Sequence, residues 1–363
     1  MPEIQLECIK KSYGHIQAID GLDLTVRDKE YLCILGPTGA GKSTTLRIIA
    51  GLTLPDSGRI YFDGRDVTAL EPEERKAVFL SQTYSLFPHM TVAENIIFGP
   101  NIKDWTETAK KKTLAEMLDL VRLTQRSDAY PRELSGGMQQ RTALARALAA
   151  GAEILLLDEP LRALDARLRL SLRRELRSIA KSLGITTIHV THDQEEALVM
   201  ADRIAIIRKG KIAQVGTPED VFDSPNSPFV ANFVGQSNFF KGVVIRNDEI
   251  TLIKDEKGRI LPSRRSNLNI GECAVIAVKT GNSEIVEAEE GYLRGIVERV
   301  IFEGRTMFID VFVEALGRCS ARLPVGRIKK VREGSEVGLK WNPEKASVFS
   351  LEKCNLDEEL RVE

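Results

Sequence analysis

Cysteine is scarce in this chain. The five residues, Cys8, Cys33, Cys273, Cys319 and Cys354, are scattered, odd in number and without a C-x-x-C pair. That pattern argues against a disulfide framework or a structural zinc site and fits reduced thiols in the cytosol. Long apolar runs are also missing: none approaches a membrane span, so any membrane role has to come through a partner. The opening Met1-Pro2-Glu3-Ile4 lacks the basic-then-apolar order of a signal peptide. Neither sign of charge dominates. A formal net charge of −1 at pH 7 argues against a general nucleic-acid binder, which carries a strong basic excess. No internal repeat or low-complexity segment is evident.

What is present is an ordinary globular composition, 43% hydrophobic and 28% charged, in 363 residues, a length that fits two domains. The most informative stretch is Gly36-Pro37-Thr38-Gly39-Ala40-Gly41-Lys42-Ser43, which fits the P-loop pattern G-x-x-x-x-G-K-[ST]. Its context agrees. The apolar run Tyr31 to Leu35 before it reads as a buried parallel strand, and Thr44 to Ala50 after it as a helix stopped by Gly51. Glycines let successive N–H groups turn toward phosphate oxygens, and the helix N-terminus adds positive partial charge. Lys42 then reaches the β- and γ-phosphates of ATP, and the Ser43 hydroxyl ligates Mg²⁺.

Other buried-strand candidates, Ile154–Leu157, Ile185–Val190 and Ile204–Ile207, alternate with helical segments up to about Gly235. That rhythm predicts a largely parallel sheet covered by helices. Ile4–Lys10, Leu22–Val26 and Arg59–Phe62 read as an antiparallel flank, and residues 85–150 as a helical subdomain. Beyond Asn226-Ser227-Pro228, short alternating runs (Phe240–Ile245, Ala274–Val278, Leu293–Val300, Met307–Val313, Val337–Trp341) predict a small all-β barrel or sandwich. The expected division is 1–235 and 236–363, at Gly235–Gln236.

Ile154-Leu155-Leu156-Leu157-Asp158-Glu159 is an apolar strand ending in two acids. Ligands sit at the carboxyl ends of parallel strands, so Asp158 is placed to hold Mg²⁺ through water and Glu159 to polarise the attacking water. Acids after a strand also serve as plain helix starters. Leu134-Ser135-Gly136-Gly137-Met138-Gln139-Gln140-Arg141 separates the readings. With it, the chain resembles the ATP-binding cassette (ABC) ATPases, whose signature is LSGGQ-like. The resemblance implies an α/β P-loop NTPase fold with a helical subdomain. It implies nucleotide contacts from Gly36 through Thr44 and from Ser135, Gly136, Gly137, Gln139 and Asp165. Gln82, after Val78–Ser81, matches the glutamine that senses Mg²⁺ and the attacking water. His192 matches the switch histidine on the γ-phosphate, and Tyr13 the aromatic residue under adenine. One departure stands out: where the family carries Ser-Ala-Leu-Asp, this chain has Arg162-Ala163-Leu164-Asp165.

The family pairs two cassettes head to tail, so a single set of motifs implies a homodimer. Tyr84 through Ile96, Met200-Ala201-Asp202-Arg203-Ile204, Gln214-Val215-Gly216-Thr217-Pro218 and Phe229 through Gly235 resemble the importer ATPases of maltose, polyamine, ferric-iron and oxyanion systems. That group implies two transmembrane permease subunits and, indirectly, an extracytoplasmic substrate-binding protein. It also implies a peripheral place on the cytoplasmic face of the membrane, no nucleic acid, and a C-terminal OB-like TOBE domain. The loop from Gln82 to about Glu94 is then where a permease coupling helix docks. In the tail, Val278-Lys279-Thr280-Gly281 is the nearest counterpart of the group's Val-Arg-Pro-Glu motif, so regulatory ligand binding does not carry over. The alternatives are an exporter ATPase and a soluble ABC protein acting on nucleic acid or ribosomes. The β tail argues against the first; the single cassette without coiled-coil insertions argues against the second. Arg162, Arg167, Arg169, Arg173, Arg174 and Arg177 beside leucines at helical spacing read as an amphipathic helix with a solvated cationic face.

Overall fold

Strands buried on both faces build the centre of the cassette. In the computed structural model, which describes residues 2–81, 83–162, 165–327, 331–351 and 356–361, they form a six-stranded sheet. Its order is Lys211–Gly216, Arg203–Arg208, Tyr31–Leu35, Thr186–Thr191, Ile154–Asp158 and Ala77–Leu80. Neighbours run parallel, apart from the edge hairpin of Arg203–Arg208 with Lys211–Gly216. The inner strands are buried along nearly their whole length, as strands covered on both faces must be. Register decides what meets at the sheet's edge. Leu35 lies opposite Thr191, and Asp158 opposite Val190, so Gly36, Glu159 and His192 leave the sheet side by side.

The flank is a four-stranded antiparallel sheet in the order Ile16–Val26, Ile4–Tyr13, Ser57–Phe62 and Arg65–Asp66. Its first long strand is interrupted at Cys8, whose φ of 49° marks a register shift between Leu6 and Ile9. The irregularity turns Ile9 back into the core after Leu6. Both sheets and the helix Lys42–Ile49 share one apolar core. The helices Val92–Ile96, Glu107–Leu120 and Gly136–Ala149 enclose a smaller one of Val92, Ile96, Leu118, Leu134 and Ala145. These helices lie within the stretch 92–149. Buried Asn95 shapes its entry: it accepts from Phe87 N–H and donates to the carbonyls of Phe87, Met90 and Thr91.

The second compact unit begins at Glu219, earlier than the expected boundary at Gly235–Gln236. The reason is visible at Lys279, whose Nζ donates to the Ala231 carbonyl at 2.9 Å and to that of Val234. The ammonium also lies 4.8 Å from the Phe222 ring. The short helices Pro218–Asp223 and Pro228–Phe233 are thereby tied to the β domain. That domain holds two five-stranded antiparallel sheets. One is ordered Ile260–Arg264, Ile250–Lys254, Ser237–Asn247, Cys273–Lys279 and Ala346–Ser350. The other is Ser283–Val286, Glu336–Trp341, Leu293–Phe302, Thr306–Val313 and Gly317–Pro324. Between them Trp341, only 2% exposed, stacks on Phe240 at 5.1 Å and meets the edge of Tyr292 at 5.0 Å. Its indole N–H donates to the Pro262 carbonyl at 2.8 Å, so the ring's one polar group is satisfied. Cys8, Cys33, Cys273 and Cys319 are free thiols; Cys354 lies outside the described residues.

Candidate active site

The P-loop is shaped by close backbone approach. A Cβ on Gly36 would come within 2.3 Å of the Ile207 carbonyl oxygen. One on Gly41 would come within 2.3 Å of the Ala18 carbonyl oxygen, and Gly41 has φ 103°, which favours glycine. Gly41 caps the helix Lys42–Ile49 without a side-chain bond to its first turn, leaving those N–H groups for an anion. At the other end the buried Arg75 donates to the carbonyls of Ile48 and Ile49, neutralising the negative pole. Ala40 is buried, Pro37 half-buried, and Thr38 and Gly39 exposed at the loop's tip. Lys42 is buried, and its Nζ donates to the carbonyls of Gly36 and Pro37, each at 2.8 Å. Burial pulls its pKa down, against the opposing pull of Glu159 and Asp158.

Ser43 donates to Asp158 Oδ1 at 2.8 Å. Burial pushes the Asp158 carboxyl up; Ser43 opposes that, the charge of Glu159 adds to it, and Arg47 and Lys42 oppose it. A hydroxyl and a partly desolvated carboxylate in contact form an all-oxygen donor pair suited to Mg²⁺. Gln82, the third expected ligand, lies outside the described residues.

Glu159 follows Asp158 with φ 47°, a left-handed conformation uncommon outside glycine. Its N–H donates to the Val190 carbonyl at 3.0 Å, which locks the turn to the neighbouring strand. One carboxylate oxygen, Oε1, then lies 3.3 Å from His192 Nδ1. The other, Oε2, accepts from Arg162 Nη1 at 2.8 Å. Tyr13 ends the first strand opposite Ile16, two residues before the Ala18 carbonyl that touches Gly41. The residue is 47% exposed, and Lys11 Nζ lies 5.6 Å from the centroid over its ring.

The signature segment stands apart from this cluster. Ser135 caps Gly136–Ala149, accepting from Met138 N–H at 3.4 Å. Gly136 is exposed, whereas Gly137 is buried against Leu168, which would lie 2.8 Å from an added Cβ. Gln139 turns back, donating to the carbonyls of Pro131 (2.9 Å) and Leu134 (3.4 Å); within one chain it braces the loop before its helix. Asp165 caps Ala166–Ser182 by accepting from Leu168 N–H at 3.0 Å. Ala163 and Leu164 lie outside the described residues.

Several supporting groups escape a motif reading. Tyr84 Oη donates to the Pro160 carbonyl at 3.1 Å. Arg146 of the signature helix donates to the carbonyls of Ser85 and Tyr84, so the loop after Gln82 is tied to both the acidic turn and that helix. Beneath His192, buried His189 has its Nδ1 2.9 Å from Tyr31 Oη. His189 Nε2 lies 3.0 Å from Glu196 Oε1, within ion-pair reach though off the line of a hydrogen bond. Burial pushes the Glu196 carboxyl up, but His189, Thr191 and Arg173 outweigh it and hold it below its ordinary value. The helix Ala166–Ser182 also corrects an expectation. Arg173 is not on a solvated face: it is buried and pairs with Asp193, with Arg169 3.7 Å from the same carboxylate. Arg177 and Lys181 pair with Asp202. Arginines four residues apart share one helical face, and here that face meets acids.

Residues 19–162 match the ABC transporter family, and residues 276–349 match the TOBE domain. The spermidine/putrescine import ATP-binding protein PotA of Clostridioides difficile is 38% identical over 349 residues, covering 96% of this chain and 98% of its own. The sulfate/thiosulfate import ATP-binding protein CysA of Caulobacter vibrioides is 49% identical over 245 residues, 66% of this chain and 72% of its own. Among solved structures, the dimeric post-hydrolysis state of an ATP-binding cassette bound to ADP and Pi superposes with a TM-score of 0.53 at 31% identity. It covers 59% of this chain and 98% of that one. With the P-loop, the acidic strand end and the capped glycine helix in place, the chain belongs to the ABC transporter ATPases, in the group of import ATP-binding proteins that carry a TOBE domain behind the cassette.

Proposed function

We propose that this ATPase works as a head-to-tail homodimer, attached through two permease subunits to the cytoplasmic face of a membrane, and that ATP binding and hydrolysis drive uptake there. Extracytoplasmic substrate-binding proteins deliver cargo to such permeases. In this reading Glu159 orients the attacking water and His192 contacts the γ-phosphate. The observation that carries it is convergence: the Glu159 carboxylate and the His192 imidazole meet at 3.3 Å, His192 at the end of the strand beside the P-loop strand and Glu159 at the end of the next one over. Lys42 exchanges the carbonyls of Gly36 and Pro37 for phosphate oxygens, while the first-turn N–H groups bind the same anion. Ser43 and Asp158, with Gln82, hold Mg²⁺, which offsets charge developing on the transferred phosphoryl group. Tyr13 stacks on adenine.

The dimer supplies what one chain keeps apart. Ser135, Gly136 and Gly137 open a second helix end suited to an anion, on a subdomain with its own core, and close the site of the partner. Among the described residues no helix is long and apolar enough to cross a membrane, so the attachment proposed is through the permeases. Relatives named for a polycation and for an anion both align over the cassette. Cargo chemistry is accordingly assigned to the permease and binding protein.

Glu159→Gln is expected to lower turnover by about 10²–10⁴-fold while sparing ATP binding, and to accumulate an ATP-bound dimer in analytical ultracentrifugation. Near-normal turnover would remove Glu159 from the role, and a variant that stays monomeric with saturating ATP would remove the dimer. Co-purification with permease subunits from the same cells tests the transport assignment.

A further inference from the structure

Arg162 marks the chain's departure from the Ser-Ala-Leu-Asp pattern of its family. Its Nη1 donates to Glu159 Oε2 at 2.8 Å, and its own backbone N–H donates to the Glu159 carbonyl at 3.2 Å. Side chain and backbone both return onto the residue three before, because Glu159 opens the turn in a left-handed conformation with φ 47°. With His192 Nδ1 3.3 Å from Oε1, each carboxylate oxygen faces a group of its own chain. A serine at this position would keep the backbone bond and leave Oε2 without a cation.

We propose that Arg162 is a positioning residue that restrains Glu159: it keeps the carboxylate on a guanidinium, and turnover requires that contact to be exchanged for the attacking water. The inference rests on the reading of Glu159 as the water-orienting group. Three observations make Arg162 a restraint rather than an aid. The Glu159 backbone is fixed without it, by the N–H bond to the Val190 carbonyl. His192 faces the carboxylate from the other side, its Nδ1 3.3 Å from Oε1. The bond to Oε2 pairs opposite charges, whereas the water that replaces it brings no cation. The Arg162 side chain is 56% exposed, where an ion pair is weak and screened by salt. The restraint is therefore graded, a few-fold in rate.

The test is steady-state ATP hydrolysis by the 363-residue chain as wild type, Arg162→Ser and Arg162→Gln, each also with Glu159→Gln, at low and high ionic strength. Both Arg162 variants are expected to raise kcat about two- to fivefold with KM unchanged. The ratio to wild type is expected to shrink at high salt, and the gain to vanish in the Glu159→Gln background. An unchanged or lowered kcat in both variants overturns the inference, as does a gain that persists without the Glu159 carboxylate. Thermal melts of the variants separate a folding defect from a lost contact. If Glu159→Gln itself turns over normally, the underlying reading fails; if it is dead while Arg162→Ser matches wild type, only the restraint does.

Discussion

Burial shifts the titration of single residues in this site, and Asp158 shows the consequence. Its carboxyl is raised by burial and by Glu159, despite Ser43, Arg47 and Lys42. An acid whose folded pKa lies above its unfolded value favours the folded state only while protonated, and that contribution is lost as pH rises through the folded value. At neutral pH the ionised Asp158 therefore weakens the nucleotide-free protein. Asp158→Asn is expected to raise the Tm without nucleotide, since an amide oxygen still accepts from Ser43 Oγ. The same change is expected to abolish the extra Tm shift that Mg²⁺ gives over ATP alone. Thermal melts with and without Mg²⁺ read both effects, and a lower Tm in the nucleotide-free variant contradicts the account. Lys42 is the cationic counterpart, pulled down by burial but supported by the two acids.

Among the elements, the arginine-rich helix Ala166–Ser182 and the turn at His192 form one unit. Arg173 fixes Asp193; Asp193 caps the next helix by accepting from Glu196 N–H, and Glu196 accepts from Thr191 Oγ1. Every link lies within a few residues of His192. Removing one partner of a buried pair leaves an uncompensated charge. Arg173→Leu is accordingly expected to destabilise the cassette by ~2–3 kcal/mol, below the ~3–5 kcal/mol of a fully buried pair, because Asp193 is 22% exposed and keeps Arg169 at 3.7 Å. The loss is seen as a lower urea midpoint, with kcat falling because the histidine loses its support. Arg173→Lys is not expected to restore it, as a point charge cannot replace the fork. Stability equal to wild type in Arg173→Leu would refute this. None of it is legible in the sequence, where arginines at helical spacing read as a solvated face. Thr186–Thr191 carries buried threonines and a histidine, whereas the strands Tyr31–Leu35 and Ile154–Asp158 are legible because burial on both faces writes them as nearly unbroken apolar runs. The strands Ile260–Arg264 and Gly317–Pro324 are not: the first contains Pro262 and Ser263, and the second turns inward only Cys319, Ala321 and Leu323. Likewise Gly36 to Ser43, Asp158, Glu159 and His192 stand out by motif and context. The Arg162–Glu159 pair depends on a left-handed turn that no residue type announces.

At the scale of the whole molecule, two units with separate cores carry different responses to pH. Lys279 sits where the family motif is missing, and burial brings its pKa from 10.5 down to about 8, with Asp223 opposing. Between those values the unfolded chain binds more proton at this group than the folded one, so its contribution to stability rises with pH across that window. The difference in urea midpoint between wild type and Lys279→Met is expected to shift in favour of wild type from about pH 8 to 10.5. A flat difference would show that the ammonium is not desolvated as described. The molecule also offers a means of following each unit by itself. The chain has 2 tryptophans: Trp105, half-buried in the helical part of the cassette, and Trp341, sealed between Phe240 and Tyr292 in the β domain. Trp105→Phe leaves an emission spectrum that belongs to the β domain alone. Its red shift on denaturation times the loss of that core, and any change on adding ATP would be an optical signal crossing from the cassette to its tail.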